Sequence, residues 1–240
     1  MDGIEMISAV WHGTREKLEL NGDNIGISDL GGFAPHFNTN REAVRLLEDS
    51  IKSSGFKPGQ DISIYVEVSA SNFFEKGLYI MHHPRIDLNS KEMVELLKDW
   101  VTNHSVSYIE DGIADDDLRG WKLLNEYIGN QCQLVGDSFF SSNLGLLSHI
   151  ANERLSNGIL IHLSDAGTVT DGIKEVIRAR ENGCKIIIGG QGGDSGDPLI
   201  VDFAVAINAD QIKLGSLHSQ ENIAKYNRLL FISDEIVDKR

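Results

Sequence analysis

Short apolar runs rich in β-branched residues alternate with longer amphipathic stretches along most of the chain. The runs are ISIYVEV (62–68), VSYIED (106–111), QLVGDS (133–138), GILIHL (158–163), KIIIGG (185–190) and QIKLG (211–215). Runs this short, bounded by Gly, Asp and Ser, read as strands. Helical-period stretches follow at 90–102, 116–129, 142–153, 168–183, 197–208 and 219–231. In SKEMVELLKDWV, Met93, Leu96, Leu97 and Trp100 share one face, and Ser90 with Glu92 open the helix. Pro198 stands near the start of its helix, where a missing N–H costs little. Strands alternating with helices build a parallel sheet from βα units, and six in a row favour a barrel over a doubly wound sheet. Two further helical patterns, 5–20 and 40–54, precede the array, with the loop GISDLGGFAPHFN between them. No Pro- or Ser-rich linker divides the chain, so residues 1–240 read as one domain.

Charge narrows the class. The net charge of −14 repels phosphates and argues against a nucleic-acid or anionic-membrane surface. It is compatible with a cation site, although most of it belongs on solvated surface. Cys132 and Cys184 match no metal or redox spacing and read as free thiols of a reducing compartment. The N-terminal MDGIEMISAVWHG lacks a basic, apolar leader pattern, and no window approaches a membrane span, so a cytoplasmic protein is expected.

In a (β/α) barrel the chemistry gathers at the C-terminal ends of the strands. Here those ends carry Glu67, then Glu110 and Asp111, then Asp137, then His162, then a glycine-rich turn, then Lys213. Carboxylates on successive strand ends repel one another, and a hard cation such as Mg²⁺ relieves that repulsion. A single such acid is more often a helix cap or ion-pair partner. His162 on its own is equally well a satisfied histidine of the barrel mouth.

Several segments resemble the C-terminal barrel domain of the enolase (phosphopyruvate hydratase) family. They are LGGFAP (30–35), FKPGQDI (56–62), YIEDG (108–112), LVGD (134–137), AGTVTDGIKEV (166–176), QIKLG (211–215) and ENIAKYNRLLFI (221–232). The resemblance implies an enolase-type, TIM-like α/β barrel. It also implies a Mg²⁺-dependent hydro-lyase that converts 2-phosphoglycerate to phosphoenolpyruvate. The enolase superfamily is itself a standard example of a Lys or His base working beside one or two Mg²⁺ ions. By the resemblance, Glu67, Glu110 and Asp137 are the metal ligands, with Glu67 one methylene longer than the family's aspartate. His162 stands where the family has its lysine base, and Lys213 keeps the neighbouring lysine.

The resemblance also marks departures. Leu30, in Ser28-Asp29-Leu30-Gly31-Gly32, replaces the family's proton-donating glutamate. Gln191 and Gly192, in GGQGGDSGDP (189–198), replace the arginine that grips the substrate phosphate and a serine that completes the ion and substrate contacts, so the glycines read as a clamp with its side chains removed. The family's first two barrel strands and its N-terminal α+β domain have no counterpart, which leaves six barrel strands with open edges. Either an oligomer, a partner chain or a rearrangement of residues 1–30 is expected to cover them. Three functional readings follow. The first is an enolase-family lyase acting on a small carboxylate. The second is a non-catalytic binding or regulatory homologue. The third is one half of a split enolase. In all of them ordinary enolase activity of this chain alone is expected to be weak or absent.

Overall fold

The computed structural model describes residues 3–28, 30–82, 84–137, 150 and 152–238. Helices α1 (Gly3–Asn21) and α2 (Asn40–Ser53) pack on each other and lead into strand β1 (Ile64–Glu67). Five further parallel strands follow, alternating with helices among the described residues. The strands are β5 (Val106–Glu110), β6 (Gln133–Gly136), β7 (Gly158–Ile161), β8 (Lys185–Gly189) and β9 (Gln211–Lys213). The helices are α3 (Ser90–Asn103), α4 (Leu118–Ile128), α5 (Val169–Glu181), α6 (Leu199–Ala206) and α7 (Gln220–Asp238). The helix expected at 142–153 lies largely outside the described residues.

The six strands form one parallel sheet in the order β1-β5-β6-β7-β8-β9, so the runs read from the sequence make half a barrel with β1 and β9 at its edges. The β-branched residues explain the two buried faces. Ile109, Leu134, Ile159, Ile161, Ile186 and Ile188 pack beneath the helices. The alternate residues Tyr108, Val135, Leu160 and Ile187, with Tyr65, form a separate cluster on the inner face. Both cysteines are free and buried.

Local chemistry sets the helix starts. Asn89, one residue before the predicted opening, caps α3, and Glu92 returns the bond to the Asn89 N–H. The Thr168 hydroxyl accepts from Asp171 N at the start of α5. Pro198 is the N-cap of α6.

Between β1 and α3 the chain forms an element that the hydrophobic pattern does not announce. It is an antiparallel meander of β2 (Phe74–Glu75), β3 (Leu78–His82) and β4 (Arg85–Leu88). Lys76 (φ 51°) and Gly77 (φ 82°) make the tight turn that joins β2 to β3. Such two-residue turns favour Asn-Gly or Asp-Gly, so a lysine in the first position hides the signal. The meander is tied to the β5–α4 connection through Tyr79, whose hydroxyl donates to Asp117 Oδ2 (2.8 Å) and accepts from Ala114 N (3.2 Å).

A second tie joins α2 to the start of β5. The carboxylate of Glu48 accepts from Ser105 N (2.8 Å) and lies 3.1 Å from His104 Nδ1. Burial raises its pKa, but the bonds from His104 and Ser105 outweigh it and hold Glu48 below the usual carboxylate range. A depressed folded-state pKa contributes stability at neutral pH that is lost as pH falls through that pKa. Glu48→Gln is therefore expected to cost about 1–2 kcal/mol at pH 7, with the difference shrinking in acid. Urea denaturation at pH 7 and at acid pH checks this, and an equal loss at both pH values would contradict it.

Candidate active site

Each inner-face residue of the middle layer is followed two positions later by a residue at the strand end, because side chains alternate along a strand. That places Glu67, Glu110, Asp137, His162, Gly189 and Lys213 around the same mouth. Two ion-pair systems organise it.

Lys213, on edge strand β9, reaches across the open side of the half barrel to the other edge. Its Nζ lies 2.8 Å from Glu67 Oε2 on β1 and 3.0 and 3.1 Å from the two oxygens of Glu110 on β5. It also sits 5.2 Å from the centre of the Tyr65 ring. Burial lowers the pKa of Lys213, and the bond it donates to Glu67 with the charge of Glu110 outweighs this, so the ammonium form is favoured. Glu110 is fully buried. Burial pushes its carboxyl up, Lys213 pulls against that, and Asp137 adds to it.

The second system is His162. Its Nε2 lies 3.0 Å from Asp137 Oδ1 and its Nδ1 lies 3.0 Å from the Gly189 carbonyl oxygen. Acceptors face both ring nitrogens, an arrangement that the imidazolium satisfies with two N–H donors. Burial lowers the pKa of His162, but the hydrogen bond and charge of Asp137 outweigh it and raise it.

Among the described residues, carboxylate oxygens of Glu110, Asp111 and Asp137 all lie within 4.8 Å of one another. Oxygen ligands at that spacing suit a hard divalent cation such as Mg²⁺, whose ligands at about 2.1 Å stand roughly 3 to 4.2 Å apart. Glu67 lies outside this group and faces Lys213 instead. The sequence marks Asp111 only as a strand-end acid. Here it is half-buried, with burial first and then Asp137 and Glu110 pushing its carboxyl up to about 7.

Gln191 and Gly192 line a neighbouring cavity of about 530 Å³ between the loops that follow β7 and β8. The Gln191 amide donates to both oxygens of Asp165 (3.0 and 3.1 Å). Asp194 and Asp197 also line the cavity, and no Lys or Arg does among the described residues. The nearby Lys225 is buried and paired with Asp194. Leu30 is docked by its backbone at the end of β9, where its carbonyl accepts from Ser216 N (2.9 Å). Asp29 lies outside the described residues.

The glycine turn has a packing reason of its own. A Cβ on Gly189 would stand 2.7 Å from Leu160 Cδ1 and 2.9 Å from His162 Cε1. Glycine there leaves room for the imidazole, so Gly189 is matched to His162 and is not simply a lost side chain. Gly189→Ser is expected to cost about 1–3 kcal/mol through overpacking, with part recovered by His162→Ala in the same chain. Urea denaturation of the three variants checks this, and a neutral Gly189→Ser would contradict it.

A parallel half barrel whose strand ends gather carboxylates, a histidine and a lysine defines a (β/α)-barrel protein with a cation-type mouth. Residues 1–240 match the family model described as Enolase, C-terminal TIM barrel domain. The chain belongs to that family. No described helix is long and apolar enough to cross a membrane.

Proposed function

We propose that this chain is an enolase-family protein that holds a divalent cation, Mg²⁺ by its oxygen ligands, and binds a small carboxylate without using a phosphate. The observation that carries this reading is the contrast between two neighbouring sites. The strand ends keep a gathered carboxylate group. The cavity beside them, where Gln191 and Gly192 stand, is lined by Asp194 and Asp197 and by no Lys or Arg among the described residues. An anionic phosphate meets Asp197 and an Asp194 already paired with Lys225 there, instead of a bidentate arginine.

When bound, the cation supplies positive charge for the oxygens of a substrate carboxylate. The chain's own residues do the rest. Lys213 brings a fixed positive charge to the mouth, held by Glu67 and Glu110. His162 carries a proton between Asp137 and the Gly189 carbonyl. Both ring nitrogens of His162 face acceptors and the Lys213 ammonium is bonded by two carboxylates, so in this arrangement neither turns a free lone pair to a substrate. Leu30 has no proton to give, so the dehydration of 2-phosphoglycerate by this chain alone is slow on this reading, and a binding or regulatory role is the alternative.

A further reading concerns the edges. In the described sheet β1 pairs only with β5 and β9 only with β8. Exposed parallel edges invite pairing with another segment, which favours an oligomer or a partner chain along β1 and β9.

The cation part is tested by calorimetric titration of Mg²⁺ into the wild type, with Glu110→Ala as control. Saturable heat in the wild type that Glu110→Ala abolishes is expected. No heat in the wild type removes the cation reading.

A further inference from the structure

We infer that Asp194 is the residue that shuts anionic groups out of the cavity beside the mouth, because its own carboxylate occupies Lys225, the cation that an oxyanion would otherwise use. This role rests on the phosphate-free reading of that cavity and names the side chain that enforces it.

Lys225, on α7, is 1% exposed, and among the described residues it is the one buried Lys or Arg. A buried ammonium needs an anionic partner, because its charge has been taken out of water. The partner is Asp194, whose Oδ2 accepts from Lys225 Nζ. Asp194 lines the cavity and Lys225 does not, so the carboxylate stands between the cavity and the ammonium. An anion that enters the cavity therefore meets a cation already paired.

The glycine turn is shaped for this contact. Gly193 has φ 73°, a left-handed conformation that turns the chain back just before Asp194. Asp194 N donates to Gln191 O (3.3 Å), and Ser195 N donates to Asp194 Oδ1 (2.8 Å), so both carboxylate oxygens are engaged. A Cβ on Gly190 would stand 3.3 Å from Asp194 Oδ2 and 3.7 Å from Lys225 Nζ, so glycine leaves the pair its room. Asp197, the other acid of the cavity, is used differently: its Oδ1 accepts from Leu199 N (2.9 Å) at the start of α6.

The probe is inorganic phosphate alone, with no divalent cation, titrated by calorimetry into the full chain. Wild type and Asp197→Asn are expected to bind it weakly and within about threefold of each other. Asp194→Ser opens the ammonium to the cavity and is expected to bind phosphate about tenfold more tightly than the wild type, or better. Adding Lys225→Met to Asp194→Ser is expected to return binding to the wild-type level, which separates a gained cation from a lost negative charge. Far-UV circular dichroism follows folding. An Asp194→Ser chain that is unfolded by itself is expected to recover its fold as phosphate is added, because a ligand of the folded state stabilises that state. A folded Asp194→Ser with no gain overturns the role of Asp194, as does an unfolded one that phosphate does not rescue. An equal gain in the double variant or in Asp197→Asn overturns it as well. No Mg²⁺ is present, so these outcomes are independent of the cation site, and a failure of the Mg²⁺ titration leaves them standing.

Discussion

Replacing Lys213 with methionine is expected to lower the unfolding free energy by about 3 kcal/mol. The ammonium bonds both oxygens of Glu110 and one of Glu67, and so links the two edge strands of the described sheet, β9 and β1. Methionine keeps the apolar stem but leaves the carboxylate of Glu110, whose side chain is 1% exposed, without its cation. Breaking a buried pair from one side costs more than the pair is worth, because the remaining charge stays desolvated. The low end of the usual range applies, since the Lys213 side chain is 25% exposed and water reaches its end of the pair. Glu110→Gln in the Lys213→Met chain should return most of the loss, because no charge is then left uncompensated. Urea denaturation of the two single variants and the double variant reads this cycle. A loss under about 1 kcal/mol in Lys213→Met would mean that solvent, not Lys213, compensates Glu110.

Turnover of 2-phosphoglycerate by this chain is expected to lie about 10⁴-fold or more below that of an enolase with its general acid and phosphate arginine in place. Two departures that the family resemblance marks lead there. Leu30 cannot donate a proton, and general acid help is worth roughly 10²–10⁴-fold. Gln191 offers a neutral amide that already donates to Asp165, and Asp194 and Asp197 share its cavity. A bidentate arginine contributes at least one strong charge-assisted bond more, which is about 100-fold in affinity if it is worth roughly 3 kcal/mol. Absorbance of phosphoenolpyruvate follows the reaction. Ordinary turnover would show that other groups replace both functions.

Much of this arrangement is legible in the sequence, for a physical reason. Parallel strands buried on both faces read as nearly unbroken apolar runs, so KIIIGG and GILIHL announce β8 and β7, and their C-terminal residues Gly189 and His162 fall at the mouth. What stays hidden depends on backbone direction or on contacts between distant residues. The β2–β3 hairpin turns on Lys76-Gly77, and lysine gives no hint of a positive φ. Asp111 follows Glu110 directly, and alternation would send the two to opposite faces. Only its left-handed backbone swings it back beside Asp137. Gly189 looks like an erased residue until its missing Cβ is set against His162, which lies 27 residues earlier in the chain. The pairing of Lys213 with Glu67 spans 146 residues and follows from the curl of the sheet, which no local pattern records.

The proposed cation site, beside a cavity that no described Lys or Arg lines, makes a direct demand on ligand binding. The measurement is a titration of 2-phosphoglycerate and unphosphorylated glycerate, side by side, into the protein with and without Mg²⁺. Both are expected to bind only with Mg²⁺, and with affinities within about threefold of each other. Binding of 2-phosphoglycerate about 100-fold tighter than glycerate, or undiminished binding of either without Mg²⁺, would contradict it.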